Sequence, residues 1–240
     1  MAKVDACGLL ALGNAEGSVW LFSEVAGDEE RSAAAAALDT NGFAVIDHLL
    51  GVDALGLRME ALSFFHSHPD AFKQGAVGGG ADGDGERYAV KAVRGDAMAL
   101  VEATDKRLPL LQRLIDEFDT LVQGLARGPG TCESLRVADH RSKPMLAIYP
   151  GNGARYMRHI DNPDGNGRIL TCLYYLNVGW RAGDGGELRV YRPSAEGGGE
   201  VAATIPPLLD RVVVFWSDER VPHEGVFEPD LFLPYPTFAC

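Results

Sequence analysis

Two histidines and an aspartate stand in a pattern that suits metal chemistry. His159-Ile160-Asp161 ends a short run of strand-forming residues, and on a strand residues i and i+2 point to the same face. The imidazole and the carboxylate therefore project together, and a tight turn from Asn162 to Gly167 follows them. His223, in SDERVPHE, lies just past the last strong apolar run and is the third ligand candidate. Two His and one carboxylate on one face of a metal make the facial triad of non-haem Fe(II) oxygenases, which keeps positions open for a co-substrate and O2. The same donors also hold zinc, so the spacing leaves both metals open. His66 and His68, in FFHSHPD, sit at a helix end and are assigned to the surface, while His48 and His140 have no partner motif. No nucleophile elbow is present, and no Ser or Cys has a base at a telling spacing.

Those side chains need a frame, and the second half of the chain supplies one. MLAIY (Met145–Tyr149), RYMRH (Arg155–His159), ILTCLYYL (Ile169–Leu176), ELRVY (Glu187–Tyr191), VAATI (Val201–Ile205) and RVVVFW (Arg211–Trp216) read as short strands. PGNG, NPDGNG, AGDGG, EGGG and PP separate them as turns. Short strands at this spacing, with no helix between them, indicate an antiparallel barrel or jelly roll. Ahead of it, Ser32–Leu38 reads as an Ala-rich helix that Ser32 caps, and GFAVIDHLL as a buried strand. Asp53 is an N-cap for a helix bearing Leu55, Met59, Leu62 and Phe65 at helical spacing. The apolar stripe from Leu110 to Leu125 is an amphipathic helix that Gly128 and Pro129 end. Gly75–Glu86 is glycine-rich and reads as a mobile loop. It is no phosphate cradle, since no Lys-Ser/Thr follows and Asp82, Asp84 and Glu86 would repel an anion. The reading is a loosely structured extension over 1–32 and one domain over 33–240. In that domain helical support runs to about 142 and the barrel from 143 to 227.

Composition narrows the field. The chain has 240 residues and a formal net charge of −12, so general nucleic-acid binding and polybasic membrane attachment are not expected. Four scattered cysteines, none in a CxxC, do not make a disulfide scaffold. No apolar run reaches the ~18 residues of a membrane span, and the N-terminus is a poor signal peptide. A cytoplasmic or nuclear location is expected.

With these residues in view, the sequence resembles the hypoxia-inducible-factor-type prolyl hydroxylases of the 2-oxoglutarate/Fe(II) dioxygenase superfamily. The resemblance is carried by MLAIYPGNGARYMRHIDNPDGNGRILTCLYYLN, GGELRVY and DRVVVFWSDERVPHE, and more weakly by VRGDAM after the Gly-rich loop. It implies a mainly β fold with N-terminal support helices, a distorted double-stranded β-helix. It implies Fe(II) on His159, Asp161 and His223, with 2-oxoglutarate lined by Tyr149, Tyr175 and the apolar wall Leu173. Arg168 would stand near the substrate entrance, and the Gly-rich loop would close over the substrate. The implied reaction hydroxylates a prolyl residue of a protein or peptide with O2, converts 2-oxoglutarate to succinate and CO2, and uses L-ascorbate. Oxygen sensing is part of what the resemblance implies.

One feature departs from the family. Its members carry an Arg in the strand after the second His, which grips the distal carboxylate of 2-oxoglutarate as a bidentate fork. Here EGVFEPDLFLPYPTFAC follows His223, without Lys, Arg or His and with Pro229, Pro234 and Pro236. This tail is expected to stand in place of the family's closing strands, because proline does not fit a central strand. Lys143, Arg168, Arg189 and Arg192 are the alternative cations, with Arg189 expected to face outward. Three readings stay open: an active prolyl hydroxylase, an impaired homologue that binds metal or peptide without turnover, and a cupin-like Zn or Fe enzyme that uses no 2-oxoglutarate.

Overall fold

The run Arg211–Trp216 is buried at every position, which requires cover on both of its faces. In the computed structural model it lies at the centre of the molecule. The structure describes residues 12–14, 17–21, 28–74, 96–102, 104–127, 133–138, 140–149, 156–163, 165, 167–194 and 199–226. The Gly-rich loop, the turn at 150–155, the tail from 227, and Cys7, Cys132 and Cys240 lie outside them.

The elements in order are β1 (Leu12–Asn14), β2 (Gly17–Leu21), α1 (Asp28–Asn41), β3 (Phe43–Asp47), α2 (Ala54–Ser67), β4 (Lys73–Gln74), β5 (Ala97–Leu100), α3 (Pro109–Arg127), β6 (Met145–Ile148), β7 (Tyr156–His159), β8 (Leu170–Tyr175), β9 (Glu187–Tyr191), β10 (Val201–Ile205), β11 (Arg211–Trp216) and β12 (His223–Val226). Three sheets form, with strand orders β1-β2-β3-β11-β8, β10-β9-β12-β7 and β4-β5-β6. All pairings are antiparallel except β2 with β3. The first two sheets face each other, since the Phe215 ring of β11 meets the His223 ring of β12 edge-on at 4.6 Å. Helices cover the other face of the larger sheet. Tyr174 packs on Phe118 of α3 at 6.4 Å, and the indole N–H of Trp216 donates to Leu38 O of α1 at 3.0 Å. The jelly roll with N-terminal support helices is therefore the fold. No helix among the described residues is long and apolar enough to cross a membrane.

The helices form for local reasons. On α3 the residues Leu111, Leu114, Ile115, Phe118, Leu121 and Leu125 are buried, at the spacing of one helical face. Each such side chain contributes about 1.5–3 kcal/mol. The Glu60 carboxylate of α2 accepts the N–H groups of Leu110 and Leu111 at 3.0 and 2.9 Å. It thus satisfies first-turn donors that a helix leaves open. Gly42 ends α1 in the left-handed region (φ +84), where a Cβ would lie 2.8 Å from Val221.

Two expectations for the support helices are corrected. Helix α1 begins at Asp28, so Ser32 is inside it and does not cap it. On α2 the buried residues are Ala54, Leu57, Ala61 and Phe64, whereas Leu55 and Met59 are 55% and 64% exposed. Beside this buried face, α2 comes close to α3, where a Cβ on Gly56 would lie 2.7 Å from Leu110. Asp53 occupies the N-cap position without a side-chain cap bond; its carboxylate pairs with Arg113 instead.

Candidate metal centre

His159 ends β7, His223 begins β12, and the two are register partners across the smaller sheet. Asp161 follows two residues after His159. The chain there is pinned to the end of β11, as Asn162 N–H donates to Ser217 O at 2.8 Å. Asp161 Oδ1 lies 3.4 Å from His159 Nε2 and 3.7 Å from His223 Nε2. One ligand atom from each of the three lies within 4.8 Å of the others. A metal ion at that focus would meet two imidazole nitrogens and a carboxylate oxygen from one side.

Hydrogen bonds fix the orientation of each donor. His159 Nδ1 is 2.7 Å from Met157 O, and His223 Nδ1 is 3.0 Å from Val221 O. A carbonyl only accepts, so each Nδ1 carries the proton and each Nε2 lone pair faces the focus. Thr171 donates its hydroxyl to Asp161 Oδ2 at 2.6 Å, leaving Oδ1 for a metal, and Thr171 Oγ1 lies 2.8 Å from Ser217 Oγ. Burial pushes the His223 imidazole down to about 4, aided by His159 and opposed by Asp161 and the Val221 carbonyl. His223 is thus neutral, as a ligand must be, through the physiological range. For Asp161 burial acts upward, but the adjacent His159 and His223 rings and the Thr171 hydroxyl outweigh it and hold the carboxyl below its usual range.

The larger sheet lays three rows beneath this centre. Register pairs Phe43 with Phe215 and Thr171, Val45 with Val213 and Leu173, and Asp47 with Arg211 and Tyr175. Paired residues share a face, and Phe215 and Thr171 touch the triad, so all three rows point inward. Leu173 forms the apolar middle row. Tyr175 lies in the far row and is 2% exposed. Burial pushes its phenol well above the ordinary value, and the Arg211 charge opposes this only in part. Its hydroxyl makes no hydrogen bond among the described residues. Tyr149 is half-buried just after β6, and Arg168 is exposed, donating to Asp161 O at 3.3 Å.

The alternative cations named from the sequence do not enter this space. Lys143 is exposed and pairs with Glu102. Arg189 faces outward, as alternation predicted, 3.6 Å from Glu224, and Arg192 is exposed. The spacing His-x-Asp recurs at His68-Pro69-Asp70, where Pro69 opens a 3-10 turn rather than a strand. His68 there contacts Ser67 and Arg107, and it belongs to no metal-sized group among the described residues. Thr171, Phe215 and the Asp47–Arg211 pair were missed. Alternation back from Tyr175 and forward from Arg211 was the signal that finds them.

Two facing sheets with an inward His-Asp-His set define a double-stranded β-helix metal oxygenase. The comparisons agree. The profile of the 2OG-Fe(II) oxygenase superfamily matches residues 144–227. Prolyl hydroxylase EGLN3 of Mus musculus is 35% identical over 184 residues, 76% of this chain and 72% of that protein. Egl nine homolog 1 of Homo sapiens is 41% identical over 135 residues, 56% of this chain and 30% of that protein. The Trichoplax adhaerens prolyl hydroxylase, solved with a peptide fragment of the hypoxia inducible factor oxygen degradation domain, superposes with a TM-score of 0.69. The two are 29% identical, over 88% of this chain and 86% of that one. The chain belongs to the 2OG-Fe(II) oxygenase superfamily, among its Egl nine-type prolyl hydroxylases. Fe(II) and 2-oxoglutarate are accordingly its metal and co-substrate, and a pre-oriented His2Asp set suits Fe(II).

Proposed function

We propose that this protein hydroxylates prolyl residues of a protein substrate, using O2 and 2-oxoglutarate and releasing succinate and CO2. The observation that carries the reading is the convergence of His159, Asp161 and His223 in a chain 35% identical to a prolyl hydroxylase. Bound Fe(II) supplies open coordination positions and the oxidising power for the C–H bond. The chain's own residues hold and orient. His159, Asp161 and His223 grip the ion from one side, and Thr171 fixes which carboxylate oxygen is offered. Leu173 and Val213 keep water from the space beneath, and the Tyr175 hydroxyl is a donor for the co-substrate. Tyr149 completes the 2-oxoglutarate wall, Arg168 stands by the peptide entrance, and ascorbate keeps the iron reduced. Residues 33–240 act as one catalytic domain in the cytoplasm or nucleus. The impaired-homologue reading is not favoured, since the donor set and the inner sheet face are intact. The test is incubation with Fe(II), 2-oxoglutarate, O2 and prolyl peptides, reading succinate and peptide mass. Succinate formed together with a peptide one oxygen heavier is expected. Succinate without peptide oxidation in every peptide tried would overturn the assignment to prolyl residues.

A further inference from the structure

We propose that Arg211, on β11 beside Tyr175, supplies the cation that holds the distal carboxylate of 2-oxoglutarate in this protein. The proposal rests on the reading of the chain as a 2-oxoglutarate enzyme and names the residue that completes its co-substrate pocket. Several observations meet at this position. No Lys, Arg or His stands between His223 and Cys240. Among the described residues Arg211 is the one Arg or Lys that is buried, at 6% exposure. It is the register partner of Tyr175, and it shares the inward face with Leu173 and Thr171. The Tyr175 hydroxyl, without a hydrogen bond among the described residues, is a donor awaiting an acceptor, because buried polar groups are paired in folded proteins. A dicarboxylate running from the metal across Leu173 brings an acceptor to that row.

Arg211 is already engaged, and its engagement shapes the prediction. Nε and Nη2 donate to Asp47 Oδ1 and Oδ2 at 2.6 and 2.7 Å. Nη1 donates to Pro206 O at 3.0 Å. Three of the five N–H groups a guanidinium owns are thereby used, and one on each of Nη1 and Nη2 remains. Asp47 therefore holds the fork in place while cancelling much of its charge. The pocket then grips 2-oxoglutarate less tightly than an uncompensated arginine would, and removing the Asp47 charge tightens it.

The test is an anaerobic titration of 2-oxoglutarate into the Fe(II)-loaded chain, read by the visible charge-transfer absorption of the chelate. Arg211→Met alone strands the Asp47 charge in the interior, so the probe is the paired variant Asp47→Leu/Arg211→Met. Replacing a buried ion pair by apolar residues is often tolerated. The paired variant is expected to keep its Fe(II) affinity and to bind 2-oxoglutarate at least about tenfold more weakly, the loss of one charge-assisted bond. It should bind 2-oxopentanoate, which lacks the distal carboxylate, as the unaltered chain does. Asp47→Asn should tighten 2-oxoglutarate several-fold. Equal 2-oxoglutarate affinity in the paired variant and the unaltered chain would overturn the role of Arg211 while leaving the enzyme reading standing. An unaltered chain that loads Fe(II) but never forms the chelate would overturn both.

Discussion

At the metal end of the inner sheet face, Thr171 bridges Asp161 and Ser217, and both imidazoles lean on backbone carbonyls. At the opposite end, Tyr175 carries a buried hydroxyl with no hydrogen bond among the described residues, and Arg211 keeps donors unspent. The metal end is finished by the protein itself, which suits an ion that stays. The ionic end is left with open donors, which suits a co-substrate that arrives and is consumed at each turnover. Two apolar residues, Leu173 and Val213, separate the ends.

Perturbing the metal end should have the larger effects. Asp161→Ala removes the oxygen between the two imidazoles, and turnover should drop by more than about a hundredfold, beyond the range for losing an outer partner. An enzyme assay beside a metal-binding isotherm checks this. At the ionic end, Arg211→Met should lower unfolding stability by about 3–5 kcal/mol, since it leaves Asp47 buried and unpaired. Asp47→Leu in the same chain should restore most of it in a denaturant melt. Metal-free protein should also lose stability on acidification. The His223 imidazole is depressed to about 4 by burial, so the unfolded chain takes up its proton first as pH falls through about 6.5. Stability present above that value is lost between it and about 4, by about 3 kcal/mol at most, and urea midpoints across the range report it. Thr171→Val frees the second Asp161 oxygen and should weaken Fe(II) binding about tenfold with little loss of fold. The smallest effect belongs to the outer face, where Arg189→Ala should change stability by no more than about 0.5 kcal/mol and leave 2-oxoglutarate affinity alone.

Much of this was legible in the residues. ELRVY, VAATI and RVVVFW form strands with the bounds read from their sequence, because turn chemistry brackets each one and tertiary packing covers both faces of the last. The His159–Asp161 pair followed from strand alternation, and its convergence with His223 is a register pairing. Strand β12 was not legible, since HEGV offers one apolar side chain and owes its conformation to the strands on either side. The α2 face was misread because Leu55 and Met59 were counted with the apolar stripe, while the face that is buried runs through Ala54, Leu57, Ala61 and Phe64. Arg211 was passed over because a cation at the start of an apolar run reads as an exposed strand end; its burial depends on Asp47, 164 positions away in the chain.

The most direct measurement is the anaerobic titration of Fe(II) into the chain with and without 2-oxoglutarate, run in parallel on Asp161→Ala. A visible charge-transfer band that needs both additions and is absent from the variant is expected. Iron binding without a band in the unaltered chain, or a band of equal strength in the variant, would contradict a His159–Asp161–His223 centre that chelates 2-oxoglutarate on Fe(II).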